Sequence, residues 1–223
     1  MSIIAIHGKM FSGKDTAGVM IKELSSKKWA IKKFGYKLKQ IASILTGIPV
    51  DKFEDQEFKK TILGEEWGYE FTTDHTLIVD GKPKHSKHIV YMRVRDMLQK
   101  LGTEAIRYGL HPDAWINALM CDYKKIKNED EEYEYPNWII TDLRFPNEYE
   151  AVKKRGGICI KIIRSDDQDL QPHISETSLN NYTFDYILHN DRDLIHLKHF
   201  FYFLLQVNKV SIVVKNVVKC VII

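Results

Sequence analysis

The stretch Gly8-Lys9-Met10-Phe11-Ser12-Gly13-Lys14 constrains this chain of 223 residues more than any other. Its glycines stand at the G-x-x-x-x-G-K spacing of a Walker A loop, between the aliphatic run Ile3-Ile4-Ala5-Ile6 and a stretch with helical periodicity (Ala17, Val19, Met20, Leu24). Glycine lets the backbone curl until several N–H groups converge on one set of anionic oxygens. The helix that follows adds the positive end of its dipole, and Lys14 adds a full charge. A buried strand, a glycine loop and a helix in that order predict a phosphate-binding loop. Asp15 stands where the pattern has Ser or Thr, and Thr16 follows. A carboxylate, like a hydroxyl, is a hard oxygen ligand for Mg²⁺. Without a cation Asp15 would repel phosphate, so its presence points to metal dependence. The alternative, an acid that only stabilises a first helical turn, stays open.

The rest of the chain reads as alternating strands and helices, which implies parallel βαβ units and a layered α/β fold. Ala30–Phe34, Trp138–Asp142, Ile158–Ile163 and Tyr186–Leu188 read as further strands. Helices are predicted around Leu38–Leu45, stopped by Gly47 and Pro49, around Met97–Ile106 and Trp115–Met120, and from Pro146 to the Gly156-Gly157 pair. Phe200–Leu205 reads as the packed face of a last helix. Residues 76–79 and 88–91 flank Asp80-Gly81 and predict a hairpin. The acidic run 128–134 reads as a solvated loop. At roughly 150 residues per domain, the length fits one large domain or a domain with an insertion.

Composition narrows the class. Hydrophobic residues make up 44% and charged residues 28%, which excludes disordered, collagen-like and coiled-coil chains. The 33 basic and 30 acidic residues leave a net charge of +3, too little for a nucleic-acid binder. Three widely spaced cysteines, Cys121, Cys159 and Cys220, support neither a disulfide framework nor a zinc site. No apolar run reaches the roughly 18 residues of a membrane span, and no basic leader precedes the first strand. A soluble cytoplasmic protein without a membrane partner is expected. His85, His88, His196 and His199 lack a recognised ligand spacing and read as surface or core imidazoles.

Asp142 ends the apolar strand 138–141, the place of a Walker B carboxylate aimed at Mg²⁺. In open parallel sheets the carboxyl ends of the strands line one crevice, which predicts Asp142 beside the Gly8–Lys14 loop. Arg144, Asn147 and Glu148 follow on the adjoining turn. Arg95, Gln99 and Arg107 share one helical stretch with Gly102-Thr103-Glu104. Arginine can hold a phosphate bidentately and glutamine can read a base edge. A solvated helix face explains these three residues equally well.

Taken together, Gly8–Thr16, the segment Leu98-Gln99-Lys100-Leu101-Gly102-Thr103-Glu104 with Arg95, Trp115, and Asp142-Leu143-Arg144-Phe145-Pro146-Asn147-Glu148 resemble the deoxynucleoside monophosphate kinases of phages and large DNA viruses. Phe34–Lys39 is similar to that family's segment after its second strand. The likeness runs from Gly8 to about Asn190. It implies a P-loop NTPase fold of the nucleoside monophosphate kinase type, with three layers, a central parallel sheet, an inserted monophosphate-binding region (about 36–120) and a lid (about 164–180) in one kinase domain. It also implies Mg²⁺-dependent transfer of the ATP γ-phosphoryl group to a deoxynucleoside monophosphate, and allows a homodimer. ATP would lie on Gly8, Ser12, Gly13, Lys14, Asp15, Thr16 and Arg164. Asp15 and Asp142 would hold the metal. Lys14, Asp15 and Arg144 would act in transfer. Lys39, Arg95, Gln99, Gly102, Thr103, Trp115, Arg144 and Glu148 would contact the monophosphate, with Arg93 as an alternative to Arg95. The lid segment departs from arginine-rich lids, because Asp166, Asp167 and Asp169 make it acidic and Arg164 alone is basic. Two other readings share the loop: a P-loop kinase of a non-nucleotide phosphorylated metabolite, and a nucleotide-binding module without transferase activity.

Overall fold

A computed structural model describes residues 3–72, 77–79, 82–84, 87–128, 131–164 and 178–210. The chain divides into two compact units, Met1–Phe34 with Ile116–Ile223, and Gly35–Trp115.

The first unit is built on a five-stranded parallel sheet flanked by helices, the architecture of a P-loop kinase. Its strands are β1 (Ile3–His7), β2 (Trp29–Lys32), β9 (Asn137–Leu143), β10 (Ile158–Ile163) and β11 (Tyr186–His189), in the spatial order β11-β10-β1-β9-β2. β1 is central, and its apolar run is explained by burial on both faces. Ile3 and Ala5 join Trp138, Ile140 and Cys159 on one face, packed against Leu119, Tyr149 and Val152. These last residues come from α4 (Ala114–Met120) and α5 (Pro146–Lys153). Ile4 and Ile6 join Ile139, Ile160 and Ile162 on the other face, against Ala17, Ile21 and Phe201. There α1 (Lys14–Leu24) and α6 (Leu194–Val210) close the layer. Each buried Ile, Leu, Val or Phe among them contributes roughly 1.5–3 kcal/mol by leaving water.

The pairing of β1 with β9 has an irregularity that matters below. Ala5 pairs with Ile140, but His7 pairs with Leu143, so β9 carries one more residue than β1 over this span. The extra residue lies at Thr141–Asp142. Bulges of this kind re-aim side chains near the ends of strands.

The second unit contains α2 (Tyr36–Thr46), α3 (Val94–Gln99) and a π-helical segment over Lys100–Tyr108. Ala42, Phe53, Val94 and Met97 form its core. The structure corrects two expectations here. The helix read through Ile106 is α-helical only to Gln99. The Gly109 and His111 amides then reach five residues back, to the Glu104 and Ile106 carbonyls, at 3.0 Å each. The predicted hairpin is also re-paired. β4 (Leu77–Val79) pairs with β5 (Lys82–Lys84) in the register Val79↔Lys82, and β6 (Lys87–Tyr91) pairs with β3 (Gly68–Thr72). A two-residue connection can bring only its immediate neighbours into register, so 88–91 finds a more distant partner. In the first unit, the acidic run contributes Tyr133–Glu134, which pairs with Ile126–Lys127 as a short exposed hairpin stem (β8 with β7).

No helix among the described residues is long and apolar enough to cross a membrane. Among the described cysteines, Cys121 is exposed and Cys159 buried, both free. Burial pushes the Cys159 thiol up to about 12, so it is an inert core group. Most of the expected lid, and the tail beyond Val210, fall outside the described residues.

Candidate active site

Chemistry-bearing residues of the first unit collect at the carboxyl ends of its strands. The loop of residues 8–14 leaves β1 and enters α1, which begins at Lys14. Gly13 caps that helix in the left-handed region, φ 96°. A Cβ at Gly8 would fall 2.5 Å from Ser12 Oγ and 2.6 Å from the Ile162 carbonyl oxygen. The loop backbone therefore passes where no side chain fits. Ser12 Oγ is buried and has no hydrogen-bond partner. A buried hydroxyl left unpaired costs about 1–3 kcal/mol, a cost an incoming oxygen would remove. The Lys14 ammonium bends back across the loop and donates to the Lys9 carbonyl. Two residues outside the loop brace it: Asn190 Nδ2 donates to the Ser12 carbonyl at 3.0 Å and Arg164 Nη1 to the Phe11 carbonyl at 3.4 Å. Both also line a cavity of about 460 Å³ with Arg192, Asp193, Leu194 and Ile195.

Asp15 is anchored. Its Oδ1 accepts the Thr141 hydroxyl at 2.8 Å and pairs with the Lys33 ammonium at 3.1 Å. Burial alone would push its carboxyl up, but the Thr141 hydrogen bond and the Lys33 and Lys14 charges outweigh that and hold it below its ordinary value. Asp142 Oδ1 accepts the Phe34 amide at 2.8 Å, joining the end of β9 to the chain leaving β2. Both aspartates thus present preset carboxylates. Thr16 is exposed on the first turn of α1.

At the end of β9, Arg144 is exposed while Glu148 is only 2% exposed. Glu148 Oε2 accepts the amides of Arg144, at 2.9 Å, and Phe145, at 3.1 Å. The Glu148 carboxylate is turned to the backbone, where it caps α5.

The expected monophosphate contacts outside the β9–α5 turn all lie in the second unit. The Lys39 ammonium pairs with Glu54 at 2.5 Å, and Arg95 Nη2 donates to Gln56 Oε1 at 3.4 Å. One turn thereby gathers a cation from α2 and another from α3. Arg93 and Gln99 are exposed. Gly102 and Trp115 belong together: the indole Nε1 donates to the Gly102 carbonyl at 2.7 Å, and Trp115 is 6% exposed. A Cβ on Gly102 would meet Leu38 at 2.9 Å. Thr103 follows on the π-helical segment, half-buried. Arg107, read as a surface or ligand arginine, is buried at 8% exposure and donates to the Pro112 carbonyl at 3.3 Å. That bond ties the π-helical segment to the chain that follows it.

Sequence reasoning missed His7, Lys33, Thr141 and Asn190. His7 ends β1, Lys33 follows β2, Asn190 follows β11 and Thr141 lies two residues before the end of β9, so the crevice at the carboxyl ends of a parallel sheet is the signal that points to them.

A sequence model of the deoxynucleotide monophosphate kinase family matches residues 56–200. The chain belongs to the deoxynucleotide monophosphate kinase family. Among curated members it is 26% identical over 101 residues to the deoxynucleotide monophosphate kinase of Escherichia phage RB69, a match covering 45% of this chain and 40% of that protein. It is 24% identical over 194 residues to the deoxynucleoside-5'-monophosphate kinase of Escherichia phage T5, covering 68% and 72%. A putative deoxynucleotide monophosphate kinase of Acanthamoeba polyphaga mimivirus is 29% identical over 108 residues. The chain spans 40% of the phage RB69 and phage T4 relatives it matches. The family match begins after the loop of residues 8–14, so the phosphate-binding reading of that loop rests on its own geometry.

Proposed function

We propose that this chain transfers the γ-phosphoryl group of ATP to a deoxynucleoside 5'-monophosphate, with Mg²⁺. The observation that carries the reading is the loop itself: a backbone cradle at the end of a central parallel strand, roofed by the unpartnered Ser12 hydroxyl and crossed by Lys14. Family membership supplies the acceptor class.

In this reading the loop amides and Ser12 Oγ bind the ATP phosphates, with the positive end of α1 behind them. Lys14 leaves the Lys9 carbonyl for the terminal phosphates. The nucleoside half of ATP lies in the cavity beside Asn190 and Arg164. Asp15 and Asp142 supply hard oxygens, and Mg²⁺ is commonly held by one or two carboxylates with substrate phosphates completing its shell. When bound, the metal neutralises charge developing on the transferring group. Arg144 adds positive charge to the same group. Lys39 and Arg95 hold the acceptor phosphate and Gln99 reads its base. Gly102 and Trp115 keep the helix that carries Arg95 and Gln99 in place, and Thr103 offers a hydroxyl along it.

The acceptor is a phosphate oxygen, already ionised at neutral pH. It attacks the γ-phosphorus, the bond from that phosphorus to the β,γ-bridging oxygen breaks, and ADP leaves with the electron pair. No strong general base is needed.

ADP release from ATP and Mg²⁺, measured with each dNMP and NMP in turn, tests the proposal. Stimulation by at least one dNMP is expected. Hydrolysis that no nucleotide acceptor stimulates would overturn it in favour of a binding module or another acceptor. Losing the Arg95 contact to phosphate costs roughly 1.5–3 kcal/mol, so Arg95→Ala should raise KM for every accepted dNMP by about ten- to a hundredfold. Gln99→Ala should instead re-rank the bases.

A further inference from the structure

His7 ends β1 immediately before the phosphate-binding loop, and it is 2% exposed. Its Nδ1 lies 2.9 Å from the Leu143 carbonyl oxygen. That oxygen can only accept, so Nδ1 carries the proton and donates. The bond forms where the β1–β9 register slips and His7 comes to stand opposite Leu143. The next atom group along the chain is the Arg144 amide, and it donates to Glu148 Oε2 at 2.9 Å. One peptide unit, Leu143–Arg144, thus has its carbonyl held by a buried imidazole and its N–H held by a buried carboxylate. The two clamping side chains come from different elements. The imidazole is itself fixed, stacked on Phe184 with ring centroids 5.3 Å apart and an interplanar angle of 17°. Phe184 meets Tyr149, the neighbour of Glu148, edge to face at 5.8 Å.

We infer that His7 is a positioning residue which, with Glu148, fixes both polar ends of the Leu143–Arg144 peptide and so sets the point from which the Arg144 side chain reaches. A long arginine swung from a mobile Cα would sample many positions. One swung from a clamped peptide spends more of its time where charge develops, and misplacement by an ångström can cost a hundredfold in rate. The inference rests on the transferase reading only for what Arg144 does; the clamp itself is a property of the backbone. It also gives Glu148 a role that needs no contact with substrate.

The test uses the full chain and two kinds of readout. Amide exchange at Arg144, followed by NMR, should accelerate about tenfold or more in His7→Leu. It should stay within about threefold of the parent in His7→Asn, whose amide nitrogen can take the place of Nδ1. His7→Gln, which puts its nitrogen one bond too far, should behave like His7→Leu. Equal Arg144 exchange in all four proteins would overturn the clamp. Should His7→Leu not fold, the Asn and Gln pair makes the same comparison. For function, His7→Leu should lower kcat with a dNMP about tenfold in the parent but less than twofold in an Arg144→Ala background. The same fold loss in both backgrounds would show that His7 acts apart from Arg144 and would sink the inference. A parent protein that releases no ADP with any dNMP defeats the transferase reading instead, and amide exchange still decides the clamp.

Discussion

Replacing Gly13 by alanine isolates what the brace on the phosphate-binding loop contributes. Two costs follow from the geometry. Gly13 has φ 96°, and a left-handed residue with a side chain costs roughly 1–2 kcal/mol. Its new Cβ would also stand 2.6 Å from Asn190 Nδ2. That amide is the far end of a side chain and can turn away, but only by releasing the Ser12 carbonyl, worth about 1 kcal/mol. Gly156 is the control within the same unit, with φ 69° and nothing within 4 Å of a built Cβ. Both substitutions carry left-handed strain, greater at 96° than at 69°, and the same small gain from a stiffer unfolded chain, so the part of their difference that Asn190→Ala removes is the Asn190 contact. For a chain of this size, each kcal/mol moves Tm by about 2–4 °C. Gly13→Ala should therefore melt at least about 2–4 °C below Gly156→Ala in calorimetry. In an Asn190→Ala background the gap should narrow by about 2–4 °C. If the two variants melt together in the parent, or the gap survives undiminished without Asn190, the brace does not constrain the loop and the reasoning fails.

Three further outcomes are expected. Lys14→Ala should fold normally and lose at least about a hundredfold in kcat, near 3 kcal/mol at 1.36 per tenfold; near-parental turnover would remove the phosphate-binding assignment. Asp15→Ala should raise the Mg²⁺ concentration needed for half-maximal activity, with Asp15→Ser recovering part of it; identical metal titrations would leave Asp15 as a partner of Thr141 and Lys33 alone. Burial, aided by the Lys161, Lys14 and Arg144 charges and opposed by the Leu143 carbonyl, holds the His7 imidazole down to about 4 from an ordinary 6.5. The unfolded chain then binds the extra proton between those values, so stability falls as pH drops through that window, by about 3 kcal/mol over its span. Urea titrations of His7→Asn should show a shallower acid slope than the parent, and equal slopes would contradict the buried neutral imidazole.

What local sequence determines here is whatever depends on neighbours in the chain. The aliphatic run 3–6, the glycine spacing and the helical period after it specify strand, loop and helix, because a cradle for phosphate needs only contiguous backbone. The central strands at 138–142 and 158–163 were legible for a related reason: a parallel strand buried on both faces must be apolar throughout. Asp142 and Arg144 could be placed at a strand's end by the same logic. Tertiary structure decided what depends on pairs of distant groups. Nothing local says that Thr141, a lone hydroxyl in an apolar strand, will hold Asp15 across 126 positions, or that Asn190 will brace a loop 178 positions earlier. Strand order and register set those partnerships, and a one-residue bulge in β9 decides which residues face which. The same holds for the partners that Arg107 and Trp115 find. Each donates to a main-chain carbonyl, because a buried polar group must find a partner and the fold places one within reach.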